Sequence, residues 1–239
     1  MATKGHFRTD LLVDTEWVET HLHDSRIRVV DCDPFDSFRR AHIPGAVGIR
    51  VHHYIKHPDY SSDPKENPLV AEPDVFKDTM EKMGIGDDAT VVAYDSNGGL
   101  WATRLWWALN YYGHNDVKVL NGGWNKWFDE SRPISIETPA FPKVTFTPRV
   151  MPNLLCSLEY GKSQVGISDT LFIDVRTEAE WNGSNSRGND RRGHIPGAVH
   201  LEWLNFLTND RHQTFKTASE LCAMLQEFGI TPDQEIITY

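Results

Sequence analysis

An internal repeat is the feature that most constrains the fold of this chain. The hexapeptide HIPGAV at 42–47 returns unchanged at 194–199. A longer stretch at 84–94 (GIGDDATVVAY) shares its layout with 229–239 (GITPDQEIITY). Both longer stretches begin with Gly-Ile, pass through an acidic turn and rise through β-prone residues to a tyrosine. Two copies of one unit within 239 residues predict two domains of the same fold.

Short apolar strands alternate with helices along both copies. The residues after the 90–94 strand predict a helix at 101–112, followed by another strand at 117–120. This β-α-β order predicts an α/β fold in which each domain is a mainly parallel sheet flanked by helices. The other predicted strands lie at 26–31, 171–175 and 236–239. A segment rich in proline, 131–150, predicts a linker between a first domain at 1–130 and a second at 151–239.

Composition excludes several classes of partner. The net charge of −10 argues against a nucleic-acid partner, because such a surface does not neutralise a phosphate backbone. Three cysteines without regular spacing argue against a disulfide framework and indicate a reducing compartment. The N-terminal residues contain no apolar run of signal-peptide or membrane-span length, so we expect a cytoplasmic protein without a membrane partner.

The repeated motifs resemble those of the rhodanese family. An acid-ending strand, the HIPGA turn, a strand ending in tyrosine and the LNGGWNKW sequence at 120–127 together carry the resemblance, which covers nearly the whole chain. Two such units resemble a tandem-domain thiosulfate sulfurtransferase or its relative that uses 3-mercaptopyruvate. The resemblance implies transfer of sulfane sulfur from a small anionic donor to a thiol or cyanide. It also implies a cysteine persulfide and no cofactor or metal.

The nucleophile position of this family follows the tyrosine-ending strand. In the first copy that position is Asp95, whose carboxylate cannot carry sulfane sulfur, so the resemblance implies an inactive first domain. In the second copy it is the position directly after Tyr239. We therefore expect the catalytic cysteine there, and we expect the chain to be the front part of a longer protein with an incomplete second domain. Cys32, Cys156 and Cys222 lie elsewhere, with Cys222 predicted to be a core or half-buried residue of a helix.

Two arginines are candidates for binding the anionic donor. Arg176 directly follows the second acid-ending strand, where the alternative is an ion pair with Asp174, Glu178 or Glu180. Arg192 lies with two other arginines in a polar insertion that the first copy lacks, where the alternative is a solvated loop.

The histidines of the repeated turn, His42 and His194, are predicted to be structural, because they occur in both copies. We expect each to fix its turn by hydrogen bonds to an acid of the preceding loop. Two other functions stay open: a non-catalytic rhodanese-like binding module, and a phosphatase-like relative with a longer cysteine loop. The sequence does not separate thiosulfate from 3-mercaptopyruvate.

Overall fold

The computed structural model describes residues 10–51 and 70–239. They divide into two compact units, which are described in turn. The first unit comprises the described part of Arg8–Pro152 together with Asp210–Thr214, and the second comprises Asn153–Asn209 and Phe215–Tyr239. The predicted domain limits at 130 and 151 remain a prediction.

Five strands and five helices build the described part of the first unit. The strands are β1 (Leu12–Val13), β2 (Ile27–Asp31), β3 (Val47–Gly48), β4 (Thr90–Tyr94) and β5 (Val117–Leu120). The helices are α1 (Thr15–His21), α2 (Phe35–Arg40), α3 (Pro73–Lys82), α4 (Leu100–Tyr111) and α5 (Gly123–Asp129). The strands predicted at 26–31, 90–94 and 117–120 and the helix predicted at 101–112 are confirmed to within one residue at each end.

All strand pairs in this unit are parallel, in the order β1-β5-β4-β2-β3. Alternate residues of the central strand β4 face opposite sides of the sheet. Val91 and Ala93 pack into one core and Val92 and Tyr94 into the other. Because both faces of the strand are covered, its residues are almost continuously apolar, as a buried parallel strand requires. The predicted α/β class with a parallel sheet is confirmed.

Residues 132–150 form neither a helix nor a strand, and a single bridge joins them to the HIPG turn. Ser135 forms that isolated antiparallel bridge, with His42. The Thr145 carbonyl accepts the main-chain N–H of Asp87, and the Asp87 carboxylate accepts the main-chain N–H and the hydroxyl of Thr147. The side chain of Phe146 between them is buried in the core. The predicted linker therefore packs against the first unit as one of its own elements.

The second unit contains a three-stranded parallel sheet, in which the first strand of the unit lies between the other two. A hydroxyl residue caps the start of each of the three helices described in this unit. The side chains of Ser157, Thr177 and Thr217 each accept the main-chain N–H of the residue three positions later. The strands are β6 (Thr170–Asp174), β7 (Val199–His200) and β8 (Glu235–Thr238). The helices are α6 (Leu158–Gln164), α7 (Glu178–Trp181) and α8 (Ala218–Glu227), with 3-10 turns at Pro152–Leu154 and Trp203–Phe206.

None of the helices that the structure describes combines the length and the apolar character needed to cross a bilayer.

Candidate functional site

A buried tyrosine fastens three elements of the first unit to one another. The Tyr94 hydroxyl at the end of β4 donates to Oδ2 of Asp31 at the end of β2, at 2.6 Å. The hydroxyl oxygen of Tyr94 also accepts the main-chain N–H of Ile43, in the HIPG turn, at 3.1 Å. All three residues are at most 2% exposed. The carboxyl ends of the two central strands and the repeated turn are therefore held in one fixed arrangement.

The second unit repeats this arrangement with its own residues. The main-chain N–H of Ile195 donates to the Tyr239 hydroxyl at 2.9 Å, and that hydroxyl is hydrogen-bonded to the fully buried Asp174. The two repeats therefore share these hydrogen bonds as well as their sequence motif: acid, turn and tyrosine correspond one to one. This correspondence makes Tyr94 and Tyr239 equivalent positions.

The turn histidines hold the main chain. The ring nitrogens of His42, a fully buried residue, lie 2.8 and 3.0 Å from the carbonyl oxygens of Phe38 and Glu137. In the second unit Nδ1 of His194 lies 3.0 Å from the Trp181 carbonyl, and its ring stacks on the Trp181 indole. The structural role agrees with the prediction, but the predicted acidic partner is wrong. A carbonyl at the end of the preceding helix takes that place in both copies.

Asp95 occupies a cradle of main-chain N–H groups in the first unit. Its Oδ1 accepts the N–H groups of Asn97 and Gly99 at 2.9 and 2.8 Å. Its Oδ2 accepts those of Trp101 and Ala102 at 2.7 and 2.8 Å. The side chain is 1% exposed. Four converging donors around one buried carboxylate form an anion site of the nest type.

The cradle depends on glycine and on the start of α4. Gly98 and Gly99 adopt φ values of +63° and +86°, in the left-handed region that favours glycine, and this turns successive N–H groups inward. Behind the loop, a Cβ at Gly123 would lie 2.0 Å from the Asp95 carbonyl oxygen. That carbonyl accepts the N–H of Trp124 at 2.9 Å. The LNGGW sequence therefore packs against the loop, and only glycine fits at position 123.

A cavity of about 250 Å³ lies beside this loop and is lined by two buried carboxylates, Asp31 and Asp33. Oδ1 of Asp33 accepts the N–H and the hydroxyl of Ser96 at 3.0 and 2.9 Å. Burial raises the pKa of Asp31 to about 6 and also raises the pKa of Asp33 above its ordinary value. Asp33 was missed at the sequence level, although its position two residues after the strand-ending acid corresponds to that of Arg176.

Arg176 forms an ion pair with Asp174. Its Nε and Nη2 donate to the two carboxylate oxygens at 2.9 and 2.5 Å, and Nη2 also donates to the Gly193 carbonyl at 2.9 Å. Burial opposes ionisation of Asp174, but the hydrogen bonds from Arg176 outweigh it and lower the pKa of that carboxyl. Of the two alternatives left open by the sequence, the ion pair is the one present.

The arginines of the polar insertion point into solvent. Arg191 and Arg192 are exposed, and Arg187, also exposed, forms an ion pair with Glu180 at 3.0 Å. Among the described residues, the hydrogen bonds and ion pair of Arg176 do not involve Arg192. A role for either arginine in binding a donor stays a prediction.

The cysteines differ in environment. Cys32 is buried at the end of β2, and burial, with Asp95 and Asp31 adding to it, raises the pKa of its thiol well above the ordinary value. A buried thiol of this kind is a poor nucleophile. Cys156 and Cys222 are exposed, so the predicted buried position of Cys222 is wrong.

Comparisons with known proteins agree with the resemblance to the rhodanese family. The profile described as "Rhodanese-like domain" matches residues 14–130 and 157–239. The chain is 32% identical over 250 residues to the "Sulfur carrier protein TtuD" of Thermus thermophilus, covering 98% of this chain and 84% of that protein. It is 29% identical over 249 residues to a "Putative thiosulfate sulfurtransferase" of Haloferax volcanii, covering 99% and 84% of the two chains.

A solved structure shows the same fold. The chain is similar to SseA from Escherichia coli, described among 3-mercaptopyruvate sulfotransferases, with a TM-score of 0.81 and 25% identity. The similarity covers 96% of this chain and 88% of that one. With both repeats matched by one profile and a relative above 30% identity along nearly the whole length, the chain belongs to the family of rhodanese-like domain proteins.

Proposed function

We propose that this protein is an enzyme of the sulfurtransferase class. It takes sulfane sulfur from a small anionic donor, thiosulfate or 3-mercaptopyruvate, and passes it to a thiophilic acceptor such as cyanide or a thiol. The names of its relatives support the reaction class. The observation that carries the proposal is the cradle around Asp95, because the same loop in a second copy would hold a sulfur anion.

The sulfur-carrying residue in this proposal is a cysteine directly after Tyr239. The argument is positional: Tyr94 and Tyr239 make matching hydrogen bonds, and Asp95 directly follows the first of them. A thiolate at that position, in a loop like the one at Asp95, would accept several main-chain N–H groups. These donors stabilise an anion without side-chain charge, so the thiolate and then the persulfide would be held at the same place.

The reaction proceeds in two displacements. The thiolate attacks the outer sulfur of thiosulfate; a sulfur–sulfur bond to the cysteine forms, and sulfite leaves with the electron pair of the bond that breaks. Cyanide then attacks the outer sulfur of the persulfide, and thiocyanate leaves while the cysteine thiolate is restored. With 3-mercaptopyruvate the first leaving group is the enolate of pyruvate, which takes up a proton.

Arg176 and Arg192 are proposed to bind the anionic end of the donor. The guanidinium of Arg176 is part of an ion pair, yet its side chain is 30% exposed, and the bonds to Asp174 and Gly193 use only Nε and Nη2 of its three nitrogens. Arg192 is exposed in a loop with two further arginines, which raises the local positive potential in an otherwise acidic protein.

The test is a cyanolysis assay on the full-length protein, with thiosulfate and 3-mercaptopyruvate as alternative donors and thiocyanate as the measured product. Replacement by serine of the cysteine expected after Tyr239 should abolish turnover, whereas Asp95→Ala should leave it measurable. Lack of turnover with both donors, or retained turnover in the serine variant, would refute the proposal. The ratio of kcat/KM for the two donors assigns the physiological class.

A non-catalytic binding module is the second candidate, and one observation favours it. The anion cradle of the first unit is filled by its own Asp95, so this unit has no nucleophile at the family position. The identity of the residue after Tyr239 in the full-length protein separates the two candidates. A residue other than cysteine there, combined with absence of thiocyanate, would support the binding module.

A further inference from the structure

The cavity of the first unit has a composition unlike that of a sulfur-donor site. Its lining residues include two carboxylates, two hydroxyls, one indole and one guanidinium: Asp31, Asp33, Ser37, Ser96, Trp124 and Arg40. Asp95 does not line it, so the cavity is distinct from the filled anion cradle. Its volume of about 250 Å³ has room for a group of several heavy atoms.

Asp33 presents an uncommitted oxygen to this cavity. The residue is 4% exposed, and both hydrogen bonds from Ser96 reach its Oδ1. Within 10–51 and 70–239, no donor contacts Oδ2. Oδ2 is not sealed from solvent, since the buried side-chain atoms without a partner do not include it. A cationic donor in the cavity would replace solvent at this oxygen with a charge-assisted hydrogen bond.

The second unit shows what kind of cation fits. The counterpart of Asp31 is Asp174, and the counterpart of Asp33 is Arg176, whose guanidinium pairs with Asp174 through two nitrogens. In the first unit the corresponding strand-end acid has a second carboxylate beside it in place of that guanidinium. The first unit therefore has the acid of this pair but no arginine at the position that corresponds to Arg176.

Aromatic rings complete the similarity. The guanidinium carbon of Arg176 lies 5.1 Å from the ring centroid of Tyr239. In the first unit the equivalent Tyr94 stacks with Trp124 at 6.4 Å, and Trp124 lines the cavity. A guanidinium in the cavity would thus meet both a carboxylate and an aromatic surface, the two partners to which this planar cation is suited.

We propose that the first-unit cavity binds a guanidinium group, with Asp33 as its anionic partner and Trp124 as its aromatic wall. Burial raises the pKa of Asp31 and of Asp33, and a bound cation would offset this effect by stabilising the ionised carboxylates. This site is independent of sulfur transfer, since all its lining residues belong to the first unit and Asp95 is not among them.

Arg40 opposes such a ligand and so provides a test. Its Nη2 donates to the Ser37 hydroxyl at 3.2 Å, and the residue is exposed at the cavity mouth. Its positive charge repels an entering cation, and solvent screens this repulsion only in part. Replacing it with glutamine should therefore strengthen binding of a guanidinium, an effect opposite to that of replacing Asp33.

The experiment titrates the full-length protein with butylguanidinium by calorimetry, beside butylammonium and neutral butanol. Butylguanidinium should bind saturably and butanol should not, with butylammonium weaker because it cannot pair through two nitrogens. A peptide with blocked ends and one central arginine forms the second arm. Tighter binding of the peptide identifies a protein arginine as the source of the guanidinium, and tighter binding of butylguanidinium identifies a free small molecule.

Variants assign the site. Asp33→Asn should weaken binding about tenfold, since a charge-assisted hydrogen bond is lost. Arg40→Gln should strengthen it about threefold. Asp36→Asn, which removes an exposed carboxylate of the same loop and helix region outside the cavity, is the matched control and should leave binding unchanged. No saturable binding of butylguanidinium, equal binding of butanol, or equal effects of Asp33→Asn and Asp36→Asn would each overturn the proposal.

Discussion

The carboxylate of Asp95 is expected to be a principal stabilising group of the first unit. Two replacements separate its charge from its volume. Asp95→Asn keeps the shape of the side chain but replaces Oδ2 with an NH2 group. The N–H groups of Trp101 and Ala102, which donate to Oδ2, then face a donor and lose their acceptor. Asp95→Ala removes the acceptors altogether and leaves a space lined by four N–H groups.

The magnitude follows from the donors left unpaired. Each buried N–H group without an acceptor costs about 1–3 kcal/mol. The asparagine variant leaves two such groups, so its free energy of unfolding should fall by about 2–6 kcal/mol. The alanine variant leaves four, but water can enter the space, so we expect a loss of similar size, about 3–5 kcal/mol.

Formate distinguishes the two variants. This small carboxylate fits the space vacated in Asp95→Ala and restores acceptors to the cradle, whereas the amide of Asp95→Asn still fills that space. At about ten times its dissociation constant, formate should return about 1.4 kcal/mol to the alanine variant. It should return nothing to the asparagine variant or to the unmodified protein.

Unfolding by urea, followed by tryptophan fluorescence, measures these changes. Six of the eight tryptophans lie within the first unit, so the signal reports mainly on it. Sodium chloride at equal ionic strength controls for general salt effects. A loss below about 1 kcal/mol in both variants, or equal formate stabilisation of both, would refute the carboxylate cradle as the source of stability.

Three further predictions address glycine, pH and charge. Gly123→Ala should cost more than about 3 kcal/mol of unfolding free energy, because its Cβ would lie 2.0 Å from a carbonyl oxygen; Gly45→Ala, at similarly positive φ but with open space, should cost about 1 kcal/mol. Asp31 has a folded pKa of about 6, above its unfolded value of 3.8, so its contribution to stability is present below about pH 4 and is lost as pH rises through 6. The unfolding free energy of the unmodified protein should therefore fall by about 3 kcal/mol relative to Asp31→Asn between about pH 4 and pH 7, in urea titrations at each pH. Arg176→Ala should destabilise the second unit by about 2–3 kcal/mol in calorimetry, because a buried carboxylate loses its cation, whereas exposed Arg192→Ala should change the unfolding temperature little and raise only KM for thiosulfate.

The strands and the repeat could be predicted from sequence because their signal is local. The almost continuous apolar run in 90–94 and the identical HIPGAV motifs need no knowledge of distant partners. The limits of α4, predicted to within one residue at each end, also follow from neighbouring residues. These features depend on periodicity and on glycine, which short windows of sequence record.

The hydrogen-bond partners could not be predicted in the same way. The tyrosine hydroxyl of Tyr94 reaches residues 63 and 51 positions away, and no local pattern identifies them. The ring nitrogens of His42 reach main-chain carbonyls, which every residue carries, so sequence offers no signal for the choice. The first repeat has Asp33 where the second has Arg176, a difference that the sequence shows once DCD at 31–33 is aligned with DVR at 174–176.

The filled cradle also has a consequence for inhibition. A side chain attached to the loop that it occupies acts as a tethered ligand, with an effective concentration at least on the order of millimolar. Free sulfite, thiosulfate or phosphate must compete with that internal carboxylate for the same four N–H groups. The anion cradle of the first unit is therefore occupied by its own residue, which competes with any anion in the surrounding solution.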